Sequence, residues 1–313
     1  MTDVLTGDPL GWRLARQVAT AVAIGVFDGV HRGHRSVLEP LIALAVDRGL
    51  AVAALTFDPH PLEVVAPERA PLLLSTVGQR ISALAEVGAE IVGVLPFEQV
   101  RTMEPDVFAR DVIGGHLNAR VVAVGADFRF GRDRQGDVET LRRVGGSVGY
   151  EVLVVDLVDD NGTAPISSTR IRSLISEGDV ESAAGLLGHP YELCGIVVEG
   201  DRRGRTIGFP TANLAVEERL AVPADGVYAA WAVVHDDFHP AVVNIGVRPT
   251  FDGVRRTIEA HLLDFDGDLY GKGVALRFVA RLRGERRFDS IDALIDQITH
   301  DVAAGRAALT VAT

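Results

Sequence analysis

Between Ala19 and about Leu187, short apolar runs of strand length alternate with longer stretches in which apolar residues recur every three or four positions. The runs Val22–Phe27, Ala51–Phe57, Ile91–Leu95, Val121–Gly125 and Glu151–Leu157 predict strands. Arg35–Arg48, Gln79–Val87, Pro105–Ile113 and Asp137–Val144 predict the helices between them. Strand and helix in strict turn predict a parallel sheet covered by helices on both faces. A further helical segment, Val180–Leu187, is followed by His189-Pro190, where the pattern breaks.

From Tyr191 to Leu282 the texture is different. The apolar runs Leu193–Val198, Val227–Val234, Ala241–Ile245, Ile258–Leu263 and Val274–Leu282 are separated by turns rich in Gly, Pro and Asp, with no helical stretch between them. This spacing predicts antiparallel strands forming a small barrel. A last helix is expected from an N-cap Ser290 to about Ala304, with Ile291, Leu294, Ile295 and Ile298 on one stripe. The fold class is therefore α/β followed by β, with a domain boundary near 187 that divides the chain into 1–187 and 188–313.

Composition agrees with two packed domains. The 313 residues are 47% hydrophobic and 24% charged, without a low-complexity tract, which excludes disorder, collagen and coiled coil for the whole. A net charge of −12 argues against nucleic acid or an acidic membrane surface as partner, so an anionic ligand must meet local donors. Cys194 is the one cysteine, which rules out an internal disulfide and a site built from several thiolates. The first residues carry no cationic region ahead of an apolar one, and Asp47 and Arg48 interrupt the apolar stretch Leu41–Phe57. The expectation is a cytoplasmic protein.

Chemistry concentrates first where the opening strand meets the first helix, in Gly25-Val-Phe27-Asp28-Gly29-Val-His31-Arg-Gly33-His34-Arg35. In an open parallel sheet this turn is where ligands bind. The glycines allow close backbone approach, the helix start offers free N–H groups, and His31 and His34 add donors, so together they make a phosphate cradle. A His-x-x-His pair taken alone reads equally as a metal pair or as a capped tight turn. No Walker-type loop is present: Gly267-Asp-Leu-Tyr-Gly271-Lys272 is one residue short and lies in the β-rich half. Three later segments also hold polar groups near strand or helix ends. Phe57-Asp58-Pro59 and Asp127 read by themselves as a turn and a strand end, and Ser168 with Arg170 and Arg172 reads either as a capped triphosphate site or as a solvated helix start.

In the β-rich half, a glycine-rich cationic loop runs from Gly200 through Gly204, Arg205 and Gly208 to Pro210-Thr211-Ala212-Asn213. Thr211 and Asn213 offer neutral oxygens one residue apart, a donor set suited to Mg²⁺, although Thr-Ala-Asn alone reads as a turn. In Thr257–Leu262 the alternation puts Glu259 and His261 on one face and Ile258, Ala260 and Leu262 on the other. A carboxylate held inside the barrel is placed to take a proton from a hydroxyl; the alternative is an outward, solvated Glu259.

The segment Phe27-Asp-Gly-Val-His-Arg-Gly-His34 resembles the His-x-Gly-His signature of the nucleotidyltransferase superfamily in the form found in prokaryotic FAD synthetases. Phe57-Asp-Pro-His-Pro61, Gly125-Ala-Asp-Phe-Arg-Phe-Gly131 and Ser167-Ser-Thr-Arg-Ile-Arg172 are similar to three more motifs of that family, in order. Arg35 departs from it, standing where the family usually carries Gln. The second half resembles the riboflavin kinase domain through Gly204-Arg-x-x-Gly-Phe-Pro-Thr-Ala-Asn213, Asp225-Gly-Val-Tyr228, Asn244–Phe251, Glu259–Phe265 and Arg283-Gly-Glu-Arg-Arg-Phe288. Nearly the whole chain is thus similar to the bifunctional riboflavin kinase/FAD synthetase family.

That resemblance implies a Rossmann-like nucleotidyltransferase domain ahead of a kinase barrel, with riboflavin, FMN and ATP as substrates and Mg²⁺ on the phosphates. It implies Glu259 as general base of the kinase, Thr211 and Asn213 as metal ligands, and His31 and His34 as stabilisers of charge in adenylyl transfer. It further implies ATP contacts from Gly25, Phe27, Gly29, Gly33, Ser168, Thr169, Arg170, Gly204, Arg205 and Gly208. Flavin contacts are implied for Phe57, Pro59, Asp127, Phe128, Arg248 and Pro249. Two alternatives stay open at this point: a relative with one inactive half, and a flavin-binding regulator, which has no use for Glu259 or His34.

Overall fold

A computed structural model of the chain describes residues 2–155, 164–200, 204, 207–250 and 253–311. It divides into two compact units, Met1–Pro71 with Ser75–Ser167, and Leu72–Leu74 with Ser168–Thr313.

The first unit is built on six parallel strands: β1 (Asp3–Leu5), β2 (Thr20–Ile24), β3 (Ala51–Asp58), β4 (Ile91–Pro96), β5 (Ala119–Gly125) and β6 (Glu151–Val155), in the order β1-β4-β3-β2-β5-β6. Strand alternation divides the core in two. Val22, Ile24, Ala53 and Leu55 pack on one face with Phe108, Val112 and Ile113, while Ala21, Ala23, Val52 and Ala54 pack on the other with Leu38, Leu41 and Ala45 of α1 (Arg32–Arg48). The small residues on that second face let α1 lie close to the sheet. Helix α2 (Val77–Val87) opens with a capping box between Thr76 and Gln79, and α3 (Val138–Val148) is capped by Asp137. The helix expected over Pro105–Ile113 differs: after Pro105–Val107 the chain widens into π-helical turns over Phe108–His116. The chain winds to one side of β2 through β3 and β4, then returns to its other side with β5. The reversal opens the switch-point crevice at the carboxyl ends of β2 and β5.

The second unit begins with α4 (Ser168–Glu177) and α5 (Val180–Leu187), which pack together, and continues into a closed antiparallel barrel. Its strands are β7 (Tyr191–Val198), β8 (Ala212–Val216), β9 (Gly226–Val234), β10 (Asp237–Thr250), β11 (Gly253–Leu262) and β12 (Gly273–Arg283), ordered β10-β11-β8-β7-β12-β9. The final helix, α6 (Ile291–Val311), is longer than its apolar stripe predicts, and Ser290 Oγ accepts from the Ala293 N–H at 3.1 Å as its cap. Two corrections to the sequence reading arise here. Ala212–Val216 is a strand and not a turn, and Ser168 is a helical residue of α4, one position inside the expected cap.

Candidate functional site

In the first unit, the chain leaves β2 at Ile24 and turns before α1 through backbone angles that few residues adopt. Phe27 has φ 54°, Gly29 φ 80° and Val30 φ 39°. A β-branched residue at positive φ is strained and persists only where its surroundings over-determine it. Here they do, since Phe27 and Val30 are buried and Asp28 is locked in place. Asp28 Oδ1 accepts from Ser75 N–H at 3.1 Å and from Ser75 Oγ at 3.2 Å, and Gly29 N–H donates to Ser75 Oγ at 3.0 Å.

The turn delivers the two histidines together. His31 is the N-terminal flanking residue of α1 and is buried, and its ring stacks on that of His34 with centroids 3.7 Å apart and planes 17° apart. The Phe27 ring meets His34 edge-on at 5.3 Å, which fixes the outer imidazole. Space at Gly33 is tight: a Cβ there would lie 3.0 Å from the Ile166 carbonyl oxygen and 3.1 Å from His31 Nδ1. Around this turn stand the other expected residues of the unit. Phe57 is buried edge-on against Phe97, Pro59 follows a cis bond from Asp58, and Asp127 is exposed beyond β5, next to Phe128, whose ring stacks on Phe130. A stacked imidazole pair, an open helix N-terminus and glycine backbone at a switch point can bind a polyphosphate and stabilise charge developing on it. Arg35 sits half-buried in the first turn of α1.

Ser168, Thr169 and Arg170 form the first turn of α4 in the second unit.

In the barrel, Glu259 is the register partner of Asn213 on β8 and of Asn244 on β10. Thr211 Oγ donates to Glu259 Oε2 at 3.4 Å. The expectation that Glu259 points into the barrel is corrected. Ile258, Ala260 and Leu262 are the buried alternates, so Glu259 and His261 turn to the outer face. There Glu259 lines a cavity of about 370 Å³ between the barrel wall and α6, with Val242, Asn244, Phe288, Leu294 and Ile298 among its lining. A second cavity of about 280 Å³ lies next to it, lined by Pro210, Ala260, Phe265 and Tyr270, and Thr211 belongs to both.

The glycine-rich loop is held by its own backbone. Ile207 and Phe209 N–H both donate to the Gly204 carbonyl, at 3.2 and 2.9 Å, and Gly208 has φ 88°. His261 Nδ1 lies 2.7 Å from the Pro210 carbonyl oxygen, which can only accept, so Nδ1 is the donor. Arg205 lies outside the described residues, and the backbone carries Arg248 and Pro249 on β10 opposite Arg255 and Val254.

Among the described residues, no group of three or more His, Cys, Asp or Glu side chains could hold a metal. The side-chain oxygens of Thr211 and Asn213, next to the Glu259 carboxylate, nevertheless fit a hard divalent cation that shares its coordination with phosphate and water.

Both halves of the chain have relatives among known proteins. A riboflavin kinase family model matches residues 187–309 and an FAD synthetase model matches residues 14–170. The bifunctional riboflavin kinase/FMN adenylyltransferase of Escherichia coli K12 is 38% identical over 294 residues, covering 93% of each chain. This chain belongs to the bifunctional riboflavin kinase/FMN adenylyltransferase family. The riboflavin kinase/FMN adenylyltransferase of Bacillus subtilis strain 168 is also 38% identical, over 91% of each chain. A solved structure described as a macrolide-efflux protein from Streptococcus pneumoniae superposes with a TM-score of 0.86 at 32% identity, covering 98% of this chain and 99% of that one. Among the described residues, no helix of this chain is long and apolar enough to cross a membrane.

The enzyme phosphorylates riboflavin to FMN and adenylylates FMN to FAD, with ATP as co-substrate of both steps. Kinases and adenylyltransferases that use ATP generally need a divalent metal. The sequence reading did not single out Asn244, Ser75 or Arg80. Asn244 stood inside a quoted motif, and its in-register position beside Glu259 emerges only from strand pairing.

Proposed function

We propose that the two reactions run at separate sites, adenylyl transfer at the β2–α1 turn and phosphoryl transfer on the outer face of the barrel, with the functional boundary near residue 187. The family matches, ending at 170 and beginning at 187, support this division. The observation that carries the kinase half is the cross-strand pairing of Glu259 with Asn213, which puts base and metal ligand on one face.

In the kinase step, riboflavin occupies the cavity under α6 and ATP the neighbouring one, with Thr211 at their common wall. Glu259 takes the proton of the ribityl 5′-hydroxyl as its oxygen attacks the γ-phosphorus, and ADP leaves. Thr211 and Asn213 would hold Mg²⁺, which when bound would neutralise phosphate charge. Gly204 and Gly208 line the phosphates, and the family resemblance gives Arg205 a phosphate role and Arg248 and Pro249 a flavin role.

In the adenylyl step, an FMN phosphate oxygen attacks the α-phosphorus of ATP, the α–β bridging bond breaks and pyrophosphate leaves. The nucleophile is already an anion, so no base is needed, and a carboxylate aimed at it would repel it. His31 and His34 instead stabilise the transition-state charge, with N–H groups from Gly25 to Gly33 on the phosphates. Phe27 supports the nucleotide turn, and Phe57, Pro59, Asp127 and Phe128 contact FMN. The enzyme works in the cytoplasm, a reading supported by its single thiol and its demand for ATP.

One assay tests the whole reading. Purified protein is given riboflavin, ATP and Mg²⁺, and FMN, FAD, ADP and pyrophosphate are quantified. Both flavin products, with ADP matching phosphorylation and pyrophosphate matching FAD, are expected; FMN without FAD, or binding without turnover, overturns it.

A further inference from the structure

Arg80 is among the most deeply buried side chains of the first unit, at 1% exposure, and no motif contains it. Its position on α2 brings its guanidinium to the carboxyl ends of β2 and β3. Nη1 donates twice, to Thr56 Oγ1 at 2.9 Å and to the Phe57 carbonyl at 3.0 Å. Thr56 Oγ1 passes the connection on, donating to the Val26 carbonyl at 2.8 Å. The charges of Asp28 and Asp58, one on each loop, act on the same guanidinium and offset part of its burial. Five residues earlier in the chain, Ser75 grips Asp28 and Gly29 from the same side.

The start of α2 therefore brackets two loops: the strained turn that ends in the histidine pair, and the Phe57–Pro61 segment after β3. Arg80 is out of reach of any substrate, and its Nε is buried without a hydrogen-bond partner. Burial of this charge is incompletely compensated, so an apolar side chain of similar length would serve packing alone at least as well.

We propose that Arg80 is a positioning residue for adenylyl transfer, locking the flavin-side loop after β3 against the nucleotide-side turn after β2. This rests on the reading of the β2–α1 turn as the adenylylation site. The two reactants of that step approach from different loops, and their relative placement decides whether the attacking phosphate oxygen is in line with the α-phosphorus. A misplacement of about 1 Å costs on the order of 10²-fold in rate. The loss should therefore fall on kcat rather than on the binding of either reactant.

The chemistry of the contact also predicts a rescue. Both hydrogen bonds come from one nitrogen, so the lysine ammonium, with three donors and the same charge, can replace them, whereas methionine cannot. FAD formation from FMN and ATP is measured for Arg80→Met, Arg80→Lys, Thr56→Val and His34→Ala, together with riboflavin phosphorylation and thermal melting. Arg80→Met is expected to lower kcat by roughly 10- to 100-fold with both KM values within about threefold, and Arg80→Lys to restore most of it. Thr56→Val, which breaks the relay to Val26 and keeps the charge, should fall between them. Riboflavin phosphorylation should be unchanged throughout. Near-normal kcat in Arg80→Met, or equal loss in the Met and Lys variants that tracks melting temperature, overturns the positioning role. If Arg80→Met does not fold, Thr56→Val decides, and wild-type kcat there overturns it. Full activity in His34→Ala sinks the underlying site instead, an outcome distinct from failure at Arg80.

Discussion

Glu259 and Asn213 face each other as register partners on β11 and β8, and Asn244 flanks Glu259 on its other side from β10. Three polar residues thus form one row across three strands of a closed barrel. A one-residue slip of β11 would turn Glu259 to the apolar interior and separate it from both asparagines at once.

Replacing Glu259 by Gln keeps the shape of this row and removes its proton acceptor. Riboflavin phosphorylation should fall by roughly 10²- to 10⁴-fold, while FAD formation from supplied FMN continues. Product analysis by chromatography with either flavin as substrate checks this. FMN production at the wild-type rate would remove Glu259 from the mechanism.

Asn213→Ala deletes one hard oxygen while Thr211 and the phosphates remain. The Mg²⁺ concentration for half-maximal kinase activity should rise, and the metal dependence of adenylylation should not. Metal titrations of the two half-reactions on one preparation provide the comparison, and an unchanged kinase requirement would make the motif purely structural.

His34 is the outer member of the stacked pair. His34→Ala should accumulate FMN from riboflavin and lose FAD formation by roughly 10²- to 10³-fold, as expected for one donor aimed at developing charge. A merely structural helix-start residue would instead lower the melting temperature and both activities together.

Cys194 is half-buried, and burial, with Glu192 beside it, pushes its thiol up to about 12 from an ordinary value of 9.0. Between those two values the unfolded thiol ionises and the folded one does not. The native state then holds the extra proton, and stability falls as pH rises through this window. Denaturation at about pH 8 and about pH 10.5 should show a larger loss for the wild type than for Cys194→Ser. Equal losses would mean the thiol is not shielded.

The alternating architecture and the site motifs were legible because they rest on local signals: runs of Val, Ile and Ala at strand length, helical spacing, and glycines beside histidines. β1 escaped, since Asp3–Leu5 is too short to show a period and gains its place by pairing with Ile91–Gly93. β8 escaped because Thr-Ala-Asn has turn composition, and only pairing with β7 and β11 makes it a strand. The two faces of β11 could be read from alternation, but which face was inside could not, because that depends on the closure of six strands. Arg80 gave no sign at all. On a helix beside Gln79 it has the composition of a solvated face, and its burial follows from the packing of α2 over two strand ends.

The cavity beside Glu259 has walls of unequal stiffness. On one side, every strand of the closed barrel is hydrogen-bonded to two neighbours, so that wall cannot part without breaking a ladder. On the other side, α6 is pinned from its middle onward. Asp301 is buried in a two-pronged ion pair with Arg283, and a Cβ on Gly305 would come within 2.9 Å of Val242. The turns before Asp301, which contribute Leu294 and Ile298 to the cavity, begin with Ile291 exposed to solvent. Gln297 ties these turns to Arg286 and to Asp301 through side-chain hydrogen bonds, so the helix side of the cavity is held by side-chain contacts and the barrel side by backbone ladders.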